Sequence, residues 1–296
     1  MARVVVTRRL PAGSLDPLLD AGHEVVTNDD DRVFTAVELA TAAGSADALV
    51  CLLTDRIDAA VLEAGAAGGR LRVVANAAVG YDNVDVATAA RLGIMVTNTP
   101  GVLTETTADT TWLLILAARR RATDAEADLR AGRWAGWGFE DHLSLDVHGA
   151  TLGLVGYGRI GRAVARRAAA FGMEVVHHTR HDTGDPGWTA DLDGLLAASD
   201  VVSLHVPLTD ETRHLIDRDR LARLRPTATL VNTTRGPVVD EEALADALIE
   251  DRLFSAGLDV YEREPEVHPR LLEAPRTVLL PHIGSATVGT RTAMAR

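Results

Sequence analysis

"TLGLVGYGRIGRAVARRAAAFGMEVVHHTRHD", residues 151–182, is the stretch whose reading decides the fold. It opens with an apolar run of strand length, "TLGLV", and "RIGRAVARRAAAF" then repeats its apolar positions at helical spacing. Between the two, Gly156, Gly158 and Gly161 form G-x-G-x-x-G. Alone, such a motif is a weak signal and could be an ordinary tight turn. After a strand and at the opening of an amphipathic helix, it reads as the phosphate-binding turn of a dinucleotide fold. Gly156 permits the tight turn, Gly158 lets the backbone approach a pyrophosphate, and Gly161 lets helix and strand pack closely. The helix N-terminus adds unpaired N–H groups for the phosphates.

The next strand, "EVVHHT", raises the question of which dinucleotide. In the common version of the fold an acid closes this strand and accepts the ribose hydroxyls. Here Thr179 takes that place, followed by Arg180 and His181. A carboxylate would repel a 2′-phosphate, whereas an arginine suits it, and His181 adds a donor. Asp182 comes three residues past the expected position. NADPH is therefore expected in preference to NADH. His177 and His178 are not read as metal ligands, because adjacent strand residues point to opposite faces.

Working outward, short apolar runs alternate with helical patterns through the whole chain, which predicts parallel sheets with crossover helices. "RVVVT", "HEVVT", "ALVCLL", "LRVVANAAV" and "IMVTN" predict a five-stranded, flavodoxin-like first domain. "TLGLVG", "EVVHHT", "VVSLHV", "TLVNTT", "GLDV" and "VLLP" predict six strands of a Rossmann domain. The expected division is residues 1–98 with 287–296 as a substrate-binding domain, and 99–286 as an inserted NAD(P)-binding domain. Between them "TETTADTTWLLILAARRR" reads as a linking helix, with Thr104 as its N-cap and Arg119 to Arg121 as its solvated end. The one long loop is "RAGRWAGWGFEDHLSLDVHG".

Composition narrows the chemistry. A chain of 296 residues with 47% apolar content can bury two cores, and its net charge of −12 argues against nucleic acid or an anionic membrane as partner. No apolar run reaches the ~20 residues that span a bilayer. The single cysteine, Cys51, lies in an apolar run; it reads as a buried small residue and fits a reducing cytoplasm. All thirty basic residues are arginine. A Schiff-base lysine and a P-loop lysine are thereby excluded. "DDD" at 29–31 lacks the spaced ligands of a calcium loop and reads as surface.

Ligands of open α/β sheets lie outside the carboxyl ends of the strands. Reading those ends selects Arg235 after "TLVNTT", Glu264 after "GLDVYER" and His282 after "TVLLP". Each alone could be a surface charge or a loop histidine. Together they fit hydride transfer to a keto acid: an arginine clamps the carboxylate, a histidine donates the proton, and a carboxylate orients the histidine and favours its charged form.

With these residues in place, the chain resembles the D-isomer-specific 2-hydroxyacid dehydrogenases, and within them the glyoxylate/hydroxypyruvate reductases. The resemblance rests on "NAAVGYDNVDV", "NTPGVLTETTADTTWLLILAARRR", "RAGRWAGW", the glycine stretch, "LHVPLTDETRHLID", "LVNTTRGPVVDEEALADAL", "AGLDVYEREP" and "LLPHIGSAT". It implies reduction of a small 2-keto acid to the D-2-hydroxy acid, with Arg235, Glu264 and His282 as the catalytic residues. It further implies substrate contacts from Leu52, Val79, Gly80, Arg235, His282 and Trp137. Cofactor contacts are implied at Thr104, Arg159, Ile160, Val206, Pro207, Thr212, Thr233, Asp259, His282 and Gly284, beside the glycines and Thr179 to His181. It also implies a homodimer, in which Trp134 and Trp137 approach the neighbouring subunit. The chain departs from the family at "GTRTAMAR", 289–296, where members usually continue through a helix that returns to the first domain. Phosphoglycerate and phosphite dehydrogenases share the fold, and so do non-catalytic nucleotide-sensing proteins. These are the alternatives the sequence leaves open.

Overall fold

The computed structural model describes all 296 residues. They form two compact units, residues 104–285 and residues 1–103 with 286–296. In the smaller unit the strands are β1 (Arg3–Val6), β2 (Glu24–Thr27), β3 (Ala48–Cys51), β4 (Val73–Asn76) and β5 (Met95–Thr97). All pairings are parallel, and the order is β2-β1-β3-β4-β5, the flavodoxin-like arrangement. Leu49, Ile57, Leu62 and Val74 are fully buried at its centre. Each such side chain contributes roughly 1.5–3 kcal/mol by leaving water.

The larger unit holds β6 (Thr151–Val155), β7 (Glu174–His178), β8 (Trp188–Thr189), β9 (Val201–Leu204), β10 (Thr229–Asn232), β11 (Ser255–Leu258) and β12 (Thr277–Leu279). Their order is β12-β11-β10-β9-β6-β7-β8. The six-strand expectation missed β8. Two residues of an irregular segment carry no strand periodicity, and β8 forms only because it pairs with His177 and His178 of β7. With β8 included, the order is that of a complete Rossmann sheet with one strand added beyond β11. Both faces are covered, by a cluster around Leu195, Leu204, Ile216, Leu230 and Leu244 and by another around Trp112, Leu114, Ile115, Leu152 and Val164. Hence β9, β10 and β11 are buried along their whole length.

Two expectations for the linking helix are corrected. Thr104 is its first helical residue, not its cap. Arg119 is not solvated: it is 5% exposed, and its guanidinium donates to the carbonyls of Asp146 (2.6 Å), Asp200 (2.9 Å) and Thr227 (3.3 Å). A three-arginine run at a helix end suggests a charged tip, but the fork of Arg119 folds inward to carbonyls at the amino-terminal side of the sheet. Arg121, by contrast, pairs with Asp124 near the surface (3.1 Å).

Candidate active site

The order of the larger sheet reverses between β6 and β9, where open α/β sheets bind their ligands. The glycine loop lies there. Gly156 has φ +98°, and a Cβ on it would stand 2.4 Å from the His205 carbonyl oxygen, so only glycine fits. A Cβ on Gly161 would meet the Gly156 carbonyl at 2.5 Å, which is the close helix–strand approach. Gly158 differs: a Cβ there meets nothing within 4 Å. Its glycine leaves open space on the outer side of the turn, where a phosphate would approach. The helix Arg159–Ala168 follows with no side-chain cap, and its first internal bond runs from Arg162 N–H to Gly158 O (3.0 Å). The N–H groups of Arg159, Ile160 and Gly161 precede that bond and face the same open side. Open space and a helix N-terminus together fit the pyrophosphate of a dinucleotide. Tyr157, within the loop, is held between the His177 ring (centroids 3.7 Å) and the Arg162 guanidinium (4.7 Å).

The residues after β7 form a turn beside this loop. Gly156 N–H donates to His178 O (2.9 Å), so Thr179 is the first residue past the paired strand. Its hydroxyl donates to His181 O (2.6 Å) and accepts from Trp188 Nε1 (3.0 Å). Asp182 is turned to its own backbone, accepting from Gly184 N–H (2.8 Å). Arg180 and His181 are exposed. The turn thus presents two basic side chains; of the acids around it, Asp182 is engaged locally, Asp185 pairs with Arg162 (2.6 Å), and Glu211 feels the charge of Arg180. His177 is buried, against Tyr157 and Thr183 (3.1 Å), while His178 reaches Thr189 O (3.1 Å). The two histidines face different partners.

Across the switch point, the segment after β9 makes a turn stapled by Thr212, whose hydroxyl donates to Pro207 O (2.6 Å) and accepts from Thr209 N–H (2.8 Å). Val206 starts it. After β10, Thr233 meets the hydroxyl of Thr111 (3.0 Å), and Asn232 Nδ2 donates to Arg235 O (2.9 Å), which fixes the backbone that carries the guanidinium.

The polar pair stands at the ends of β11 and β12. His282 Nδ1 lies 2.8 Å from Glu264 Oε2, and Glu264 Oε1 accepts from Tyr261 N–H (3.0 Å). Burial pushes the Glu264 carboxyl up, but the hydrogen bond and charge of His282, the Tyr261 N–H and the charge of Arg235 outweigh it, and its pKa is lowered. An ionised carboxylate only accepts, so Nδ1 carries a proton and Nε2 is the nitrogen left for chemistry. His282 has a left-handed backbone, φ +53°, which a non-glycine residue adopts only when its surroundings enforce it. Asp259 does so: its two oxygens accept from Ile283 N–H and Gly284 N–H, both at 2.7 Å. Burial raises the pKa of Asp259, against the lowering effect of those two N–H groups. Thr107 closes the loop by donating to Gly284 O (3.2 Å).

A model of the NAD-binding domain of D-isomer-specific 2-hydroxyacid dehydrogenases matches residues 112–284. The chain belongs to that family. The glyoxylate reductase of Thermococcus onnurineus (strain NA1) is 45% identical to it over 304 residues, covering 99% of this chain and 89% of that one. A crystal structure of the TT0316 protein from Thermus thermophilus is similar with a TM-score of 0.92 and 47% identity, covering 99% of this chain and 93% of that one. The NADPH-dependent glyoxylate/hydroxypyruvate reductase of Sinorhizobium meliloti, solved with NADP and malonate, is similar with a TM-score of 0.86 and 38% identity, over 99% of this chain and 90% of that one. Within one unit, this 2-hydroxyacid dehydrogenase joins Glu264 to His282 directly and Asp259 to the backbone that follows His282, on the carboxyl edge of the sheet that also bears the glycine loop.

In the smaller unit, Leu52 follows β3, and Val79 and Gly80 follow β4. Trp134 and Trp137 lie on the long loop after residue 130, and Trp137 is 81% exposed, its ring edge against Phe139. No helix is long and apolar enough to cross a membrane.

Proposed function

We propose that this enzyme reduces small 2-keto acids of the glyoxylate and hydroxypyruvate type to D-2-hydroxy acids, with NADPH preferred over NADH. The larger unit serves as the cofactor-binding body and the smaller as the substrate-binding one. The dinucleotide, when bound, supplies the hydride. Arg159, Ile160 and Gly161 hold its phosphates through their N–H groups, and Arg180 and His181 hold the 2′-phosphate, with Thr179 shaping their turn. Val206, Pro207 and Thr212 border the adenosine, while Thr104, Thr233, Asp259 and Gly284 border the nicotinamide. Arg235 and the backbone of Val79 and Gly80 bind the substrate carboxylate, and Leu52 and Trp137 limit its size. His282 donates the proton from Nε2 to the carbonyl oxygen, and Glu264 keeps the ring oriented through its hydrogen bond to Nδ1.

The observation that carries this reading is the Glu264–His282 hydrogen bond of 2.8 Å on the sheet edge that also bears the glycine loop. Steady-state turnover of glyoxylate, hydroxypyruvate, 3-phosphohydroxypyruvate and phosphite, each with both cofactors in the required redox state, tests it. The expected result is fastest reduction of the first two with NADPH. Preference for phosphite or the phosphorylated acid would favour the related dehydrogenases, and cofactor binding without turnover would favour a nucleotide-sensing protein. The same proposal includes a homodimer that covers the exposed aromatic residues Trp134, Trp137 and Phe139. A sedimentation mass of one chain would overturn that part.

A further inference from the structure

The carboxyl edge of the smaller sheet holds three consecutive carbonyls in one direction. Thr99 N–H donates to Ala78 O (2.9 Å), Asn98 Nδ2 to Val79 O (2.8 Å) and Asn76 Nδ2 to Gly80 O (2.8 Å). A trans peptide sets its N–H antiparallel to its own C=O. Drawing the Ala78, Val79 and Gly80 carbonyls back toward the ends of β4 and β5 therefore turns the Val79, Gly80 and Tyr81 N–H groups the opposite way. No backbone or side-chain acceptor within the smaller unit meets those three N–H groups. Successive N–H groups presented together make an anion-binding concavity.

The Asn76 carboxamide is itself fixed. Asn76 is 1% exposed, and its Nδ2 also donates to Asn83 Oδ1 (3.1 Å). Asn83 Nδ2 in turn donates to Leu52 O (3.1 Å) and Asp55 O (3.0 Å). Asp55, fully buried, accepts from Thr7 Oγ1 (2.5 Å) and Leu52 N–H (2.9 Å). The chain of bonds thus ties the loop after β4 to the ends of β1 and β3.

We infer that Asn98 and Asn76 are positioning residues for the substrate carboxylate: they hold the Val79 and Gly80 carbonyls and so aim the Gly80 and Tyr81 N–H groups at it. Tyr81 N–H becomes a third backbone donor beside those of Val79 and Gly80. The inference rests on the proposed reading of this loop as the carboxylate site.

The test compares glyoxylate with glycolaldehyde, which has the same aldehyde and no carboxylate, in wild type, Asn98→Asp, Asn98→Ser and Gly80→Pro. Asn98 is half-buried, so small replacements there are tolerable, and the neutral serine separates lost positioning from an added charge. Expected for both Asn98 variants is a fall in kcat/KM for glyoxylate of about tenfold (~1.4 kcal/mol), carried by KM. Glycolaldehyde turnover and the KM for NADPH stay within about twofold, and calorimetric Kd for oxalate on the NADPH-bound enzyme rises in parallel. Equal loss on both substrates with unchanged oxalate affinity would overturn the inference. Gly80→Pro removes one N–H outright. If it raises the KM for glyoxylate while the Asn98 variants do not, only the inference falls. If it too leaves KM and oxalate binding unchanged, the loop does not bind the carboxylate, and both readings fall.

Discussion

Replacing Glu264 by glutamine keeps its shape and removes one acceptor. The carboxylate now accepts twice, from Tyr261 N–H at 3.0 Å and from His282 Nδ1–H at 2.8 Å. A carboxamide offers one oxygen and one NH2. With its oxygen on Tyr261 N–H, its NH2 faces Nδ1, which must then carry no proton. The form that suffers is the ring with both protons, the proton donor. A hydrogen bond to a charged partner contributes about 1.5–3 kcal/mol, and about 1.4 kcal/mol is a factor of ten. The side chains of His282 and Glu264 are 26% and 31% exposed, so solvent screens part of this. The lower part of the range, roughly 10- to 30-fold, is the loss to expect in kcat/KM for glyoxylate near neutral pH. The assay is kcat/KM against pH at saturating NADPH. The deficit shrinks as the pH falls through the lowered pKa of Glu264, because the wild type then loses the same carboxylate, while the KM for NADPH stays unchanged. In the wild type the lowered pKa of Glu264 sets the acid limit. Its pairing with His282 contributes stability that is fully present above the ordinary carboxylate value of 4.5 and is lost as the pH falls through the lowered one. A variant within twofold of wild type at every pH, or one with the same deficit at every pH, would refute the reasoning.

Three further outcomes follow from the geometry. Arg180→Ala raises the KM for NADPH about tenfold and leaves that for NADH unchanged, since it removes one charge-assisted contact to a group that only NADPH carries; equal effects on both cofactors would count against the assignment. Gly158→Val keeps the melting temperature within a few degrees but weakens NADPH binding by fluorescence titration, whereas Gly156→Val, aimed at the His205 carbonyl, fails to fold stably. Arg119→Leu leaves three carbonyls without their donor and lowers unfolding free energy by about 3–5 kcal/mol in denaturant titration, with kcat of the folded enzyme unchanged.

The parallel sheets were legible because buried strands such as "VVSL" and "TLVN" read as short, mostly apolar runs between turns and alanine-rich helices. The glycine loop was legible because its three glycines carry distinct steric demands, which the distances around Gly156 and Gly161 display. Strand β8 was not, since two residues have no periodicity to detect. Arg119 was misread because its partners are backbone carbonyls from three distant segments, which no local pattern encodes. The same blindness hid Asn76, Asn83 and Asn98. For Asn76 and Asn98 the one visible signal was position, at and just past a strand end, where an asparagine can bond its neighbours' backbone; Asn83, well past β4, gave none. The left-handed backbone of His282 and its two-pronged support from Asp259 also became visible only in three dimensions.

The central claim is hydride delivery to the carbonyl carbon of a small 2-keto acid, with His282 supplying the proton. It is tested most directly by incubating the enzyme with hydroxypyruvate and NADPH deuterated at the transferable nicotinamide position, then analysing the product by mass spectrometry and chiral chromatography. The expected product is D-glycerate carrying deuterium at its second carbon, with almost none from His282→Ala. Unlabelled or L-configured product, or equal product from the His282→Ala variant, would contradict it.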